Sequence, residues 1–154
     1  MRALTIALFG MLAAAPVLEA AASGEWVARV KRVIGEAHVE QAGETKRLAV
    51  GDRLDGDAVI MTKARSGVGL TFKDNTRVSV GPNAKLALSD YDYEPGKPDA
   101  EPKLATRLDS GVAAFVSGRV TKRKPGAMTV QTPSALLGVR GTAFMAVTET
   151  PLDQ

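Results

Sequence analysis

The chain has 154 residues, a formal net charge of +3 and no cysteine. This length suggests one domain that buries a core without disulfides, and the lack of thiols excludes cysteine nucleophiles, thiolate metal sites and a lipid on an N-terminal cysteine. A sequence pI of about 9.3 is a mild basic bias, which favours anionic surfaces but is equally typical of simple solubility.

The first segment has the composition of a secretory signal peptide. Arg2 gives a positive start, the apolar run Ala3–Ala15 follows, and Ala20 and Ala22 supply small residues at positions −3 and −1 of a cleavage site. The alternative is an uncleaved membrane anchor, but the apolar run is shorter than the roughly 20 residues of a spanning helix. We therefore predict a signal peptide over residues 1–22 and a periplasmic or secreted protein.

Extended segments follow the predicted signal peptide. Spaced apolar positions in 26–40 indicate one or two strands, with a turn at Gly43-Glu44. Leu48–Val50 is predicted as a short strand and Ala58–Met61 as the next, with Leu54 pointing inward between two Gly-Asp turns.

The clearest local signal is a β-hairpin. Val68–Phe72 alternates apolar residues with others, and Val78–Val80 resumes the alternation after a polar break, which puts the apolar side chains on one face. Asp74-Asn75 lies between the two runs, and Asn tolerates the positive φ of a tight primed turn. Gly81-Pro82-Asn83 ends the hairpin because proline cannot donate to a sheet ladder, and another strand is predicted over Leu86–Leu88.

Residues 90–102 combine acids with prolines and glycine. Such a segment has little to bury and many chain breakers, so we predict an exposed acidic loop. Tyr91 and Tyr93 alternate with the acids, which leaves open that they extend the preceding strand.

The last third of the chain is less regular. Leu104–Gly118 mixes helical and strand periods, and we favour a strand after Gly111. Arg119–Lys124 holds four basic residues and is predicted as a basic hairpin tip. Met128–Gln131 and Phe144–Val147 are predicted as strands.

Short strands separated by turn signals predict an all-β fold, either a short-stranded β-sandwich or a flattened β-roll, in a single domain. We expect this domain to span residues 23–148, between the signal peptide and a polar tail at 149–154.

Two motifs resemble the FecR protein domain family. The first comprises the Gly-Asp pairs Gly51-Asp52 and Gly56-Asp57 and the hairpin turn Phe72–Thr76; the second is Val130–Pro133 followed by Val139–Phe144. The second matches the family's signature of Thr-Pro followed by Arg-Gly-Thr and a phenylalanine, and the resemblance covers most of the chain after the signal peptide.

This resemblance implies an all-β periplasmic or extracellular domain. Founding members of the family are regulators of sigma factors that relay a signal from TonB-dependent siderophore receptors. Here the predicted signal peptide runs straight into the β-domain, without the cytoplasmic segment and spanning helix of those regulators. We therefore do not expect transmembrane control of a sigma factor.

No catalytic constellation is recognisable in the sequence. His38 is the single histidine, it falls in a predicted strand, and no Gly-x-Ser-x-Gly elbow is present. Asp52, Asp55 and Asp57 lie close together, but their spacing is not that of an EF-hand, and aspartate beside glycine is common in turns. We predict no catalytic, cofactor-binding or metal site, and a protein that is not an enzyme.

Two alternative functions remain for the acidic and aromatic residues. A hydrolase would need paired carboxylates, for which Asp52 or Asp57 with Asp74 are the candidates. A carbohydrate binder would instead display Trp26, or the two tyrosines of 90–102, in a groove. For Trp26, however, we expect packing of the first strand against the core.

The basic cluster Arg119–Lys124 has no neighbouring aromatic residue to stack a base, so we expect no nucleic acid partner. It is interpreted as a solvated tip, with contact to lipid headgroups, cell-wall phosphates or an acidic protein as the alternative. Arg140-Gly141-Thr142 is interpreted as structural, with a buried or half-buried arginine that bridges strands through backbone carbonyls.

The sequence thus predicts a non-catalytic periplasmic FecR-like module without cofactors that binds a partner protein or a cell-envelope component, with a role in signalling left open. The alternative is an envelope carbohydrate-binding or hydrolytic protein. No membrane-spanning segment is expected in the mature chain.

Overall fold

The computed structural model describes residues 25–141 and 143–148, with 54% strand and 4% helix. The predicted all-β class is confirmed. The predicted signal peptide at 1–22 and tail at 149–154 lie outside the described residues and stay predictions. Within the described part, no helix is both long and apolar enough to cross a bilayer.

The described residues form twelve strands and one short helix. They are β1 (Ala28–Ile34), β2 (Ala37–Gln41), β3 (Glu44–Arg47), β4 (Arg53–Leu54), β5 (Val59–Thr62), β6 (Gly67–Phe72), β7 (Arg77–Val80), β8 (Lys85–Asp92), β9 (Lys103–Val116), α1 (Arg119–Arg123), β10 (Met128–Gln131), β11 (Leu136–Gly138) and β12 (Ala143–Thr148).

The long strand β9 belongs to two half-sheets. Its second half lies between β12 and β7 in the order β12-β9-β7-β6-β1-β4. Its first half lies between β10 and β8 in the order β11-β10-β9-β8-β5-β2-β3. All pairs are antiparallel except β9 with β10. We call the two sets the first and the second half-sheet.

Both half-sheets pack on one hydrophobic core. The core includes Leu70 and Phe115 from the first half-sheet and Ile60 and Leu86 from the second, each at most 2% exposed. Burial of such a side chain stabilises the fold by about 1.5–3 kcal/mol. The curled sheet therefore closes over its own apolar face.

The predicted hairpin is β6–β7, but its turn differs from the one expected. Only Asn75 has positive φ, at 67°, whereas a type I′ turn needs two such residues. The Phe72 N–H donates to the Thr76 oxygen (2.9 Å) and the Asn75 N–H to the Phe72 oxygen (3.0 Å). This pattern is a three-residue loop that ends in a left-handed residue.

The predicted strand Leu48–Val50 is wrong. Ala42 and Gly43 have φ of 52° and 76° and form a two-residue turn, so the returning strand is β3, where no strand was predicted. All four side chains of β3 are exposed, which leaves no apolar alternation to detect. Leu48 is buried beyond the end of that strand, and Val50 is 65% exposed.

Two boundaries in the last third are corrected. β9 begins at Lys103 rather than after Gly111, and Gly111, with φ of 83°, lies where the strand passes from one half-sheet to the other. A Cβ there would lie 2.6 Å from the Ala84 Cα. Arg119–Lys124 is not a hairpin tip, because α1 occupies most of it.

The predicted loop 90–102 is shorter than expected. β8 continues to Asp92, and both Tyr93 and Pro102 are buried. The remaining segment, residues 93–102, is called the acidic loop below.

Candidate interaction surface

Asp74, the shared candidate of the hydrolase hypothesis, is fully buried. Its carboxylate accepts hydrogen bonds from the Thr76 N–H (3.1 Å), the Thr76 hydroxyl (2.6 Å) and the Val120 N–H (3.1 Å). A carboxylate so occupied satisfies buried donors and does not face a substrate cleft.

Asp74 also explains why α1 forms. Gly118 precedes the helix and has no side chain to cap it. Asp74 supplies two of the missing acceptors, since its backbone oxygen accepts the Arg119 N–H (2.8 Å) and its carboxylate accepts the Val120 N–H. Position 118 requires glycine for steric reasons, because a Cβ there would lie 2.3 Å from the Thr76 nitrogen.

The other candidate acids serve turns or lie exposed. The Asp52 carboxylate accepts the Ala49 N–H at 3.0 Å and lies 3.7 Å from the Lys46 ammonium, while Asp57 is exposed. Among the described residues, no three His, Asp or Glu side chains gather in a way that would hold a metal ion. A calcium site at Asp52, Asp55 and Asp57, whose spacing already differs from that of an EF-hand, therefore gains no support.

His38 lies on β2, as predicted, with 30% of its side chain exposed and its Nε2 3.9 Å from a Glu36 carboxylate oxygen. Arg140, expected to be buried or half-buried between strands, is exposed instead. Val139 before it is the buried residue of the motif, at 6% exposure.

The two tyrosines of the predicted loop are parts of the framework. The Tyr91 hydroxyl accepts the Asp74 N–H at 2.9 Å, and its ring packs 5.6 Å from that of Phe72. Burial, and then the Asp74 charge, raises the pKa of Tyr91 well above its usual value. Tyr93 is 7% exposed beneath the Arg123 guanidinium, 4.7 Å from its ring centroid. Neither ring offers a free stacking platform.

Hydrogen bonds connect the acidic loop to α1 and the residue that follows it. Arg123 donates to the backbone oxygens of Glu94 and Lys97, both at 3.3 Å. Lys124 donates to Glu101 at 2.7 Å and thereby lowers the pKa of that carboxyl. Half of the basic cluster predicted to be a solvated tip is thus already engaged within the molecule.

Trp26 is half-buried and lies among cations rather than in the core, contrary to our expectation. The guanidinium carbons of Arg29 and Arg53 lie 5.6 and 5.4 Å from its ring centroid, and the Lys73 ammonium lies at 4.8 Å. Lys73 also donates to Glu25 at 2.6 Å, which lowers the pKa of that carboxyl. Cation–π attraction stabilises such contacts by roughly 0.5–1 kcal/mol each at exposed sites.

The outer surface of the first half-sheet is called the arginine face below. Residues paired across adjacent strands point to the same side, so the register identifies its members. They are Arg53 on β4; Arg29, Arg32 and Ile34 on β1; Gly67, Gly69 and Thr71 on β6; Arg77 and Ser79 on β7; Val112, Ala114 and Val116 on β9; and Ala143, Met145 and Val147 on β12.

Charge on the arginine face is of one sign. Its four arginines come from β4, β1 and β7, and no member is acidic. Within residues 25–141 and 143–148, no carboxylate lies within 4.0 Å of any of them. Arg29 and Arg53 are direct cross-strand partners, an arrangement of like charges that is destabilising.

The β9–β12 side of the same face is aliphatic. Met145 and Val147 are 66% and 64% exposed, and Val116 is 36% exposed, while Ile34 at the opposite edge is 47% exposed. Small residues of β6 and β7 separate the two sides, and a shallow groove runs over Gly67 and Gly69. The face therefore combines fixed cations with exposed apolar side chains.

Comparisons with known proteins bear on the family rather than on this face. A solved structure described as "Cell surface anchoring domain" is 23% identical, with a TM-score of 0.42 over 48% of this chain and 99% of the other. A likeness of that size carries no argument for fold or function. No curated protein matches the sequence.

The profile of the family described as "FecR protein" matches residues 58–152. The match includes the β6–β7 hairpin and the Arg-Gly-Thr motif, and it begins after the two Gly-Asp pairs. Because it covers more than half of the chain, the protein belongs to the FecR protein family.

Proposed function

We propose that this FecR family protein is a non-catalytic binding module of the cell envelope, periplasmic or secreted. The family and the predicted signal peptide support the location. The observation that carries the binding role is the arginine face, where four arginines share one sheet surface and no carboxylate of the described residues lies within 4.0 Å of them.

The state of the acidic residues supports a role without catalysis. A general acid needs a pKa raised towards the working pH, yet Glu101 and Glu25 have lysine partners that lower theirs. Asp90 forms an ion pair with Lys103. Asp74 is occupied by three donors, so the hydrolase alternative loses its shared candidate.

The carbohydrate-binding alternative is less well supported than the arginine face. Glycan stacking needs an open aromatic ring, whereas Tyr93 is buried and Trp26 has three cations near its ring.

Two measurements test this proposal. N-terminal sequencing of the protein from its producing cells should begin at Ser23, and fractionation should place it outside the cytosol. The recovered protein should also co-sediment with isolated envelope fragments, and Arg32→Gln with Arg77→Gln should weaken that association. Retention in the cytosol, or no envelope association at all, would contradict the proposal.

A matched control distinguishes an effect of the arginine face from an effect of net charge alone. Arg119→Gln with Lys122→Gln removes two exposed cations from α1 and changes the net charge equally. We expect this pair to retain envelope association, and an equal loss in both pairs would remove the assignment of binding to the arginine face.

A further inference from the structure

We propose that the arginine face binds the surface of an anionic phospholipid bilayer, an inference that rests on the proposed function and names its partner. The geometry points to a lipid surface rather than to a protein partner. Two properties of the face support this: its single sign of charge and its exposed aliphatic side chains.

The face is wide enough to meet a partner with an extended surface. Six paired strands contribute to the face, and five spacings of about 4.8 Å make it about 24 Å wide. Gly67, Gly69, Thr71 and Ser79 are small residues in its middle, beside Arg77.

The charge fits an anionic surface. Arg29, Arg32, Arg53 and Arg77 project from the face without carboxylate partners among the described residues. Arginine pairs with phosphate through bidentate hydrogen bonds. Binding of headgroup phosphates would also relieve the repulsion between the cross-strand partners Arg29 and Arg53. A second copy of this face is disfavoured, because it would bring like charges together.

The apolar side chains distinguish a bilayer from a soluble polyanion. Met145, Val147 and Val116 are exposed on the same face, on adjacent strands β12 and β9. An acidic polymer would leave them in water, whereas the interface of a bilayer takes up aliphatic side chains below the headgroups. Trp26, at the arginine end, belongs to a residue type enriched at membrane interfaces.

Trp26 is also the single tryptophan of the chain, which makes the proposal directly measurable. Its emission reports on the arginine end of this face and on no other part of the protein. The protein, as recovered from the cells and with its N-terminus determined, is titrated with vesicles of phosphatidylcholine alone and of phosphatidylcholine with phosphatidylglycerol. The same titrations use lipids brominated on the acyl chains, which quench tryptophan at the interface.

We expect binding to the anionic vesicles only, quenching of Trp26 by brominated lipid, and weaker binding at high salt. Because each arginine near an anionic surface contributes about 1 kcal/mol, Arg32→Gln with Arg77→Gln should weaken binding about 30-fold. The matched pair Arg119→Gln with Lys122→Gln should weaken it less than threefold. Met145→Gln with Val147→Thr should reduce both affinity and quenching.

Several outcomes would overturn the proposal. They are equal binding to neutral vesicles, binding without quenching of Trp26, equal losses in the two cation pairs, and binding of polyglutamate in place of vesicles. Circular dichroism of each variant checks that the sheet is retained, and the comparison of lipids with the unsubstituted protein does not depend on any variant. If vesicles do not bind but envelope fragments still do, the bilayer is excluded as partner while the proposed function stands.

Discussion

Replacement of Asp74 should destabilise the whole domain, although the residue lies in a three-residue turn. Asp74→Ala removes the acceptor of the Thr76 N–H, the Val120 N–H and the Thr76 hydroxyl. The two bonds from Thr76 lie within the β6–β7 turn and the bond from Val120 ties the turn to the start of α1, and all three are buried.

The loss in the free energy of unfolding can be worked out from the hydrogen-bond donors that Asp74→Ala leaves without an acceptor. A buried donor without an acceptor costs about 1–3 kcal/mol, and the substitution leaves two backbone donors in that state. The Thr76 hydroxyl can still turn towards another acceptor. We expect a loss of about 3–5 kcal/mol in the free energy of unfolding, against a typical total of about 5–15 kcal/mol.

Urea unfolding, followed by circular dichroism, measures this loss as a lower midpoint at constant slope. Asp74→Asn keeps one acceptor oxygen and should lose about half as much. The control is Asp99→Ala in the acidic loop, where the carboxylate is exposed and the change should stay within about 0.5 kcal/mol. A loss below about 1 kcal/mol for Asp74→Ala would show that the carboxylate does not hold these donors in solution.

Three further predictions concern other contacts. Gly118→Ala should lower the free energy of unfolding by about 3 kcal/mol or more, because the added Cβ would overlap the backbone of the β6–β7 turn. Gly138→Ala is the control, since position 138 has open space around it, and the same urea assay should show little change. Arg123→Ala should speed amide hydrogen exchange in the acidic loop about tenfold, and Lys122→Ala should not. Because the pKa of Tyr91 is raised in the fold, the native state holds the phenolic proton where the unfolded chain loses it. Stability should therefore be full below about pH 10 and fall as pH rises further; Tyr91→Phe should show a smaller fall, and an unchanged pH profile would contradict the assignment.

The elements predicted correctly are those with local signals. The β6–β7 hairpin has apolar alternation on both strands and a turn residue that tolerates positive φ between them. β3 was missed because its side chains are all exposed, and α1 was missed because its capping carboxylate comes from a residue 46 positions earlier in the chain. A pattern within α1 itself carries no trace of that partner.

The candidate surface was invisible in the sequence for a related reason. Arg53, Arg29 and Arg77 are far apart along the chain, and only the register of β4, β1, β6 and β7 puts them on one face. The cluster Arg119–Lys124 was conspicuous because its members are adjacent, yet two of them are occupied by the acidic loop. The sequence therefore drew attention to Arg119–Lys124, which is half engaged within the molecule, and gave no sign of the arginine face.

The position of β9 has a consequence for how the protein reaches its native state. Both half-sheets need this strand, which begins only at Lys103, so a growing chain cannot complete either one until two thirds of it has been synthesised. Contacts of such long sequence separation form slowly. For a polypeptide that is expected to thread unfolded through an export channel, late completion keeps the chain competent for translocation until it has crossed.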